Sequence, residues 1–131
     1  MKEISFKNRF NDVLFGNSWE IENPKNIVLI VTGMAEHSAR YDDFAKFLNE
    51  NGYSVYCLDH YGQGNGKNGE LGNPGHDYFS KRIEIIKAYI LFLKGKHSKK
   101  VYLFAHSMGS FVSQGFIEKY STIVDKVVLC G

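Results

Sequence analysis

The apolar positions of this 131-residue chain fall into two alternating kinds of run, one short and β-rich, the other longer with helical spacing. Residues 2–7 and about 11–21 alternate loosely, with turn chemistry from Asn8 to Asp12 between them, which predicts an antiparallel pair. Asn23-Pro24 breaks the chain before Ile27-Val28-Leu29-Ile30-Val31, a continuous aliphatic run expected of a strand buried on both faces. Residues 38 to about 51 read as a helix with Phe44, Phe47 and Leu48 on one face. Asn51-Gly52 stops it, the glycine suiting a left-handed cap. Tyr53 to Leu58 is a second buried strand, and it opens into a glycine-rich loop from His60 to about Asp77. A helix over about 79–94 follows, where Ile83, Ile86, Ile90 and Leu93 keep the 3.6-residue period. Lys100 to Ala105 is the third buried strand. Phe111, Val112 and Phe116 mark a third helix, and Val124 to Cys130 a fourth buried strand.

From residue 27 onward the order is β-α-β-α-β-α-β. That alternation predicts an α/β fold, a mostly parallel sheet with helices on both faces and right-handed crossovers. The length suits one domain over residues 1–131. With 44% hydrophobic and 23% charged residues, the composition excludes a disordered chain or a disulfide-stapled miniprotein. Sixteen Lys and Arg against fourteen Asp and Glu leave a formal charge of +2, too balanced for a nucleic-acid binder. The densest basic run, Lys94, Lys96, Lys99 and Lys100, reads as a solvated corner between a helix and a strand, and His97 and His76 read as loop residues. Cys57 and Cys130 lie in strand-like apolar runs and are expected as buried free thiols, which fits a reducing cytoplasm. The N-terminus lacks the apolar core of a signal peptide, and the longest aliphatic run is too short to span a membrane.

Three loops carry candidate chemistry. Ala105-His106-Ser107-Met108-Gly109 lies between a buried strand and a helix, where a serine in a tight turn is held on strained backbone with its hydroxyl exposed. Small residues two before and two after are needed because strand and helix approach closely; Ala105 stands where the G-x-S-x-G pattern has its first glycine. A second reading makes Ser107 the N-cap of the third helix. The second loop, Thr32-Gly33-Met34-Ala35-Glu36-His37-Ser38, ends the first buried strand. In this geometry one oxyanion donor is the N–H of Met108 and the other the N–H of Met34. The loop also reads as a plain turn with Ser38 capping the following helix. Glu36 and His37, adjacent on a loop, offer poor geometry for a metal, and none is expected. The third loop is Asp59-His60-Tyr61-Gly62-Gln63-Gly64. Its extension from Gly64 to Gly69 formally matches G-x-G-x-x-G, but the next helix starts many residues later, so a dinucleotide phosphate has no helix N-terminus to meet. A flexible surface loop beside the active-site rim is the expected meaning.

In this order and spacing the three loops resemble the α/β-hydrolase fold, and more narrowly the monoacylglycerol lipase/lysophospholipase group of serine aminopeptidase-like hydrolases. The pattern H-G-x-x-E-H-S is met from Thr32 to Ser38 except that Thr32 replaces histidine. D-H-x-G-x-G is met from Asp59 to Gly64, with Tyr61 at a position often arginine, and H-S-M-G is met from His106 to Gly109. The resemblance implies that Ser107 is the nucleophile, that the N–H groups of Met34 and Met108 form the oxyanion hole, and that Gly33, His37, Asp59, His106 and Gly109 support them. It implies a small lipid-like or ester substrate, acyl transfer, and no cofactor.

In that family the acid, the histidine and the cap follow the strand after the nucleophile helix. The sequence stops at Gly131, so the expectation is the N-terminal part of a hydrolase core, nearly or wholly inactive alone. No carboxylate is evident to orient His37 or His60 as a substitute base, and His106, as a neighbour of Ser107, projects elsewhere. The last strand is expected at an unpaired hydrophobic edge, inviting self-association. A non-catalytic domain that binds a ligand or partner is the alternative.

Overall fold

The computed structural model describes residues 1–64 and 77–131. Strands β1 (Lys2–Lys7) and β2 (Val13–Trp19) form the predicted antiparallel pair, with Lys2 opposite Ser18 and Lys7 opposite Val13. The side-chain oxygen of Asn8 closes their turn by accepting from the N–H groups of Phe10 and Asp12. Strand β2 also runs antiparallel to β4 (Tyr53–Leu58), while β4, β3 (Asn26–Val31), β5 (Val101–His106) and β6 (Lys126–Cys130) are parallel. The sheet order is β1-β2-β4-β3-β5-β6.

Helix α1 (Asp42–Glu50) follows a 3₁₀ turn at Ser38–Tyr41; α2 (Tyr78–His97) precedes β5, and α3 (Met108–Tyr120) follows it. Because strand side chains alternate, β3 sends Ile27, Leu29 and Val31 to one face and Val28 and Ile30 to the other. The first set packs with Ile86, Ile90 and Leu93 of α2 and Val112 and Phe116 of α3. The second set packs with Ala45 of α1, beside Phe44 and Leu48. Helices therefore cover both faces, as the alternation of runs predicts. Each fully buried Ile or Leu in these layers contributes about 1.5–3 kcal/mol. The sheet's parallel strands end together on the side that carries all three candidate loops.

Four expectations need correction. Helix α2 runs to His97, because Lys94, Lys96 and His97 continue the backbone helix without apolar period, until Ser98 turns left-handed at φ 52°. His97 is thus helical, and its Nε2 lies 2.6 Å from the Tyr56 hydroxyl. Strand β6 is not buried: Val128 is 53% and Leu129 42% exposed, since among the described residues no strand pairs with its outer edge. For the same reason Cys130 is only half-buried, whereas Cys57 is fully enclosed; both are free thiols. Finally, the buried stripe of α1 centres on Phe44, Ala45 and Leu48, which leaves Phe47 beyond its edge and exposed. No helix among the described residues is long and apolar enough to cross a membrane.

Candidate active site

Strand β5 delivers the chain to Ser107, whose backbone adopts φ 55°, ψ −121°. For a residue with a Cβ this sparsely populated conformation costs on the order of 1–3 kcal/mol and persists only where the surroundings impose it. Here the backbone imposes it. The Ser107 N–H donates to the Cys130 carbonyl of β6 at 2.8 Å, and the Ser107 carbonyl accepts from Ser110 N–H at 2.9 Å as α3 begins. The first turn of α3 is pressed onto the end of β3: a Cβ on Gly109 would sit 2.4 Å from the Val31 carbonyl oxygen and 2.6 Å from that of Thr32. Ala105, two residues before the serine, is fully buried. Ser107 occupies the N-cap position of α3, yet its hydroxyl makes no capping hydrogen bond. The helix-cap reading is therefore set aside. Met108 opens α3, where first-turn N–H groups lack intrahelical partners and suit an anion.

The loop after β3 meets this elbow directly. A Cβ on Gly33 would lie 3.0 Å from the Cβ of Ser107, 3.2 Å from the His106 carbonyl oxygen and 2.7 Å from a Glu36 carboxylate oxygen. Met34 follows with an exposed side chain, and Ala35 takes a left-handed φ of 58°. Glu36 then reaches back across the site. One carboxylate oxygen lies 2.5 Å from His106 Nδ1, and the other accepts from the Tyr41 hydroxyl. Burial works to raise the Glu36 pKa, but the bonds from Tyr41 and His106 outweigh it and hold the carboxyl below its ordinary range. Ser38 is not the expected cap: His37 holds that position. The Ser38 N–H donates to Asp59 Oδ1 at 2.7 Å and its hydroxyl accepts from Asn17.

His60 faces inward. The guanidinium of Arg82, a fully buried side chain of α2, donates from Nε to His60 Nδ1 at 2.8 Å, from one terminal nitrogen to the Thr32 carbonyl at 2.5 Å, and from the other to the Tyr78 hydroxyl at 2.9 Å. Burial, reinforced by the arginine charge, pushes the His60 pKa far down and keeps the ring neutral, and burial lowers Arg82 to about 10. Among the described residues no hydrogen bond joins the Ser107 hydroxyl to His60, His106 or His37.

Beside the elbow lies a cavity of about 540 Å³, lined by Met34, His37, Tyr61, Gln63, Tyr78 and Met108 among others. Both residues expected to supply oxyanion donors border it, as does His37. Gly33, His106 and Gly109 fix the elbow, and Asp59 lies beneath the loop. Sequence reasoning missed Arg82, Tyr41 and the role of Glu36, because Arg82 and Glu36 meet partners 50 and 70 residues away and Tyr41 acts through Glu36. The only local signal was the Glu-His-Ser run itself. The residues of the formal G-x-G-x-x-G run after Gly64, and His76, lie outside the described residues. No cluster of His, Cys, Asp or Glu suited to a metal occurs among the described residues.

Comparison with known proteins finds the same architecture. The chain is 34% identical over 105 residues to a monoglyceride lipase homolog of monkeypox virus, covering 79% of this chain and 37% of that protein. It is 27% identical over 108 residues to lysophospholipase L2 of Escherichia coli K12, covering 79% and 31% respectively. The crystal structure of a highly thermostable carboxyl esterase from Bacillus coagulans superposes with a TM-score of 0.83 at 26% identity, covering 98% of this chain and 43% of that one. The chain thus spans about a third of the length of these curated relatives. Residues 22–131, which hold all three loops, match the family described as serine aminopeptidase, S33, so this α/β-hydrolase-fold chain belongs to that family.

Proposed function

We propose that the chain carries the nucleophile and oxyanion hole of a serine hydrolase acting on carboxylic esters, with monoacylglycerols or lysophospholipids as the substrate class. The carrying observation is the strained backbone of Ser107, wedged between β5 and α3 against Gly33. The names of the relatives, a monoglyceride lipase homolog and a lysophospholipase, and the cavity beside Met34 and Met108 support the substrate class. In this reading the Ser107 oxygen attacks the ester carbonyl carbon, and the carbonyl oxygen takes the negative charge between the N–H groups of Met34 and Met108. Collapse expels the alcohol, which takes up a proton, and water then releases the acid from Ser107. The resemblance noted above places the histidine that moves these protons later in the family's order than the elbow.

A fluorophosphonate probe tests the nucleophile: the expected result is slow labelling at Ser107, at a rate set by the oxyanion hole alone, lost in Ser107→Ala. Absence of labelling favours the alternative, a domain that binds without turnover. Because no imidazole is hydrogen-bonded to Ser107 among the described residues, the 131-residue chain by itself is expected to show only the residual catalysis of an oxyanion hole, about 10³–10⁴-fold over water. Ordinary turnover of a short-chain p-nitrophenyl ester would overturn that. The free thiols support a reducing, cytoplasmic setting. The exposed Val128 and Leu129 on the β6 edge support self-association. Sedimentation that depends on concentration in the native chain, and not in Val128→Lys, tests it.

A further inference from the structure

We propose that Gln63 is a positioning residue for the oxyanion-hole loop, and that the Asp59–Gly64 turn exists to aim it. Gly62 and Gly64 flank Gln63 at φ 75° and 77°, two left-handed steps that side chains rarely take. At Gly64 the space is closed as well, since a Cβ there would lie 2.4 Å from Asp59 Oδ2. The turn therefore folds tightly over its own aspartate and projects the single side chain between the glycines toward the neighbouring loop. With its amide oriented as its neighbours require, Gln63 accepts from the Ala35 N–H at 3.0 Å and donates to the Glu36 carbonyl at 2.9 Å. Asp59, from the same turn, takes the Ser38 N–H at 2.7 Å.

One turn thus grips the loop at two points on the C-terminal side of Met34. The grip falls where the loop needs it, because Ala35 is held left-handed at φ 58° without the freedom of a glycine. An N–H in that conformation, turned from its own loop, must find a partner or stay in water. Gln63 supplies the partner for Ala35, whereas among the described residues the Met34 N–H has none and stays available to a ligand. Engaging the Ala35 amide fixes the Met34–Ala35 peptide plane, which adjoins at the Met34 α-carbon the Gly33–Met34 plane that carries the Met34 N–H. Preorganised donors of this kind need no reorganisation when charge develops on the substrate. The inference rests on the reading of Met34 as an oxyanion donor, but the grip itself can be measured without it.

Amide hydrogen exchange on the 131-residue chain, compared with Gln63→Met and Gln63→Glu, decides the matter. Methionine keeps the length and loses both hydrogen bonds; glutamate keeps the acceptor for Ala35. Loss of one ordinary hydrogen bond predicts Ala35 exchange about fivefold faster in Gln63→Met. In Gln63→Glu the Ala35 amide is expected to stay as protected as in the native chain, and Leu29 in β3 to remain protected throughout. Unchanged Ala35 exchange in Gln63→Met, or equal loss in both variants, overturns the proposal. Should Gln63→Met also release Leu29, Gln63→Ser, too short to reach the loop, takes its place in the same comparison. Fluorophosphonate labelling provides the second readout: the maximal labelling rate at Ser107 falls in Gln63→Met and recovers in Gln63→Glu, with probe affinity little altered. If no form labels while Ala35 behaves as expected, the hydrolase reading fails and the grip stands. If labelling ignores the state of Ala35, the positioning role fails.

Discussion

The elbow at Ser107 and the loop from Thr32 to His37 touch each other, yet different parts of the chain hold them. At the elbow the constraints are backbone: the Ser107 amide on β6, the start of α3 on its carbonyl, and Gly109 against two carbonyl oxygens of the β3 end. In and beside the loop the constraints run through side chains: Glu36 to His106 and Tyr41, Asp59 to the Ser38 N–H, Arg82 to the Thr32 carbonyl. A backbone-built turn tolerates little change at its own residues or at the few backbone positions pressed against it. A loop held by side chains can be loosened one contact at a time. The site thus joins a rigid elbow to an adjustable loop.

The comparison breaks most severely at Gly109. A Cβ there meets backbone oxygens that cannot move aside, so Gly109→Ala is expected to cost about 3 kcal/mol, read as a lower urea midpoint. A midpoint within experimental error of the native one would mean that α3 is not pressed on β3. Removing a loop contact costs less. Glu36→Ala strips His106 and Tyr41 of their shared partner and is expected to cost about 1–2 kcal/mol. Because the folded Glu36 pKa lies below the ordinary 4.5, that contribution is present above pH 4.5 and fades as pH falls through the folded value. The native and variant stabilities should therefore converge in acid; a constant difference would sink the carboxylate's role.

His60 gives a further pH dependence. Its folded pKa lies well below 6.5, so as pH drops through 6.5 the unfolded chain binds a proton that the folded chain refuses. Stability then falls with a slope approaching about 1.4 kcal/mol per pH unit. Thermal melts between pH 7.5 and 5.5 measure it, and His60→Asn, though weaker overall, should lose this slope. The smallest effect belongs to Thr32, whose hydroxyl is buried with no hydrogen-bond partner among the described residues. Thr32→Val keeps the shape and is expected to leave stability within about 1 kcal/mol, or raise it slightly. A large loss would reveal a partner for that hydroxyl.

These differences also explain which features were legible in the sequence. The elbow could be read because its constraint is local: small residues at fixed offsets around a serine, between a strand pattern and a helix pattern. The β1–β2 pair and the buried strands β3 and β4 could be read for the same reason, their side-chain period being their own. Strand β6 could not, since Val-Val-Leu looks buried in sequence and burial depends on neighbours that a pattern does not contain. Glu36 and Arg82 were opaque in another way. A glutamate on a loop and an arginine in a helix are ordinarily solvated, and only the meeting of β3, β4, α2 and the elbow gives them partners.

Gly33 and Ser107 share one small volume, with the bare α-carbon of the glycine facing the Cβ of the serine. The gap between the two loops therefore has no room for a side chain at residue 33. Threonine at residue 107 would bring a branched Cβ to a positive φ that such residues avoid. The elbow favours serine, or cysteine of the same shape, over threonine. The close fit at the elbow is thus written partly into a glycine of another loop.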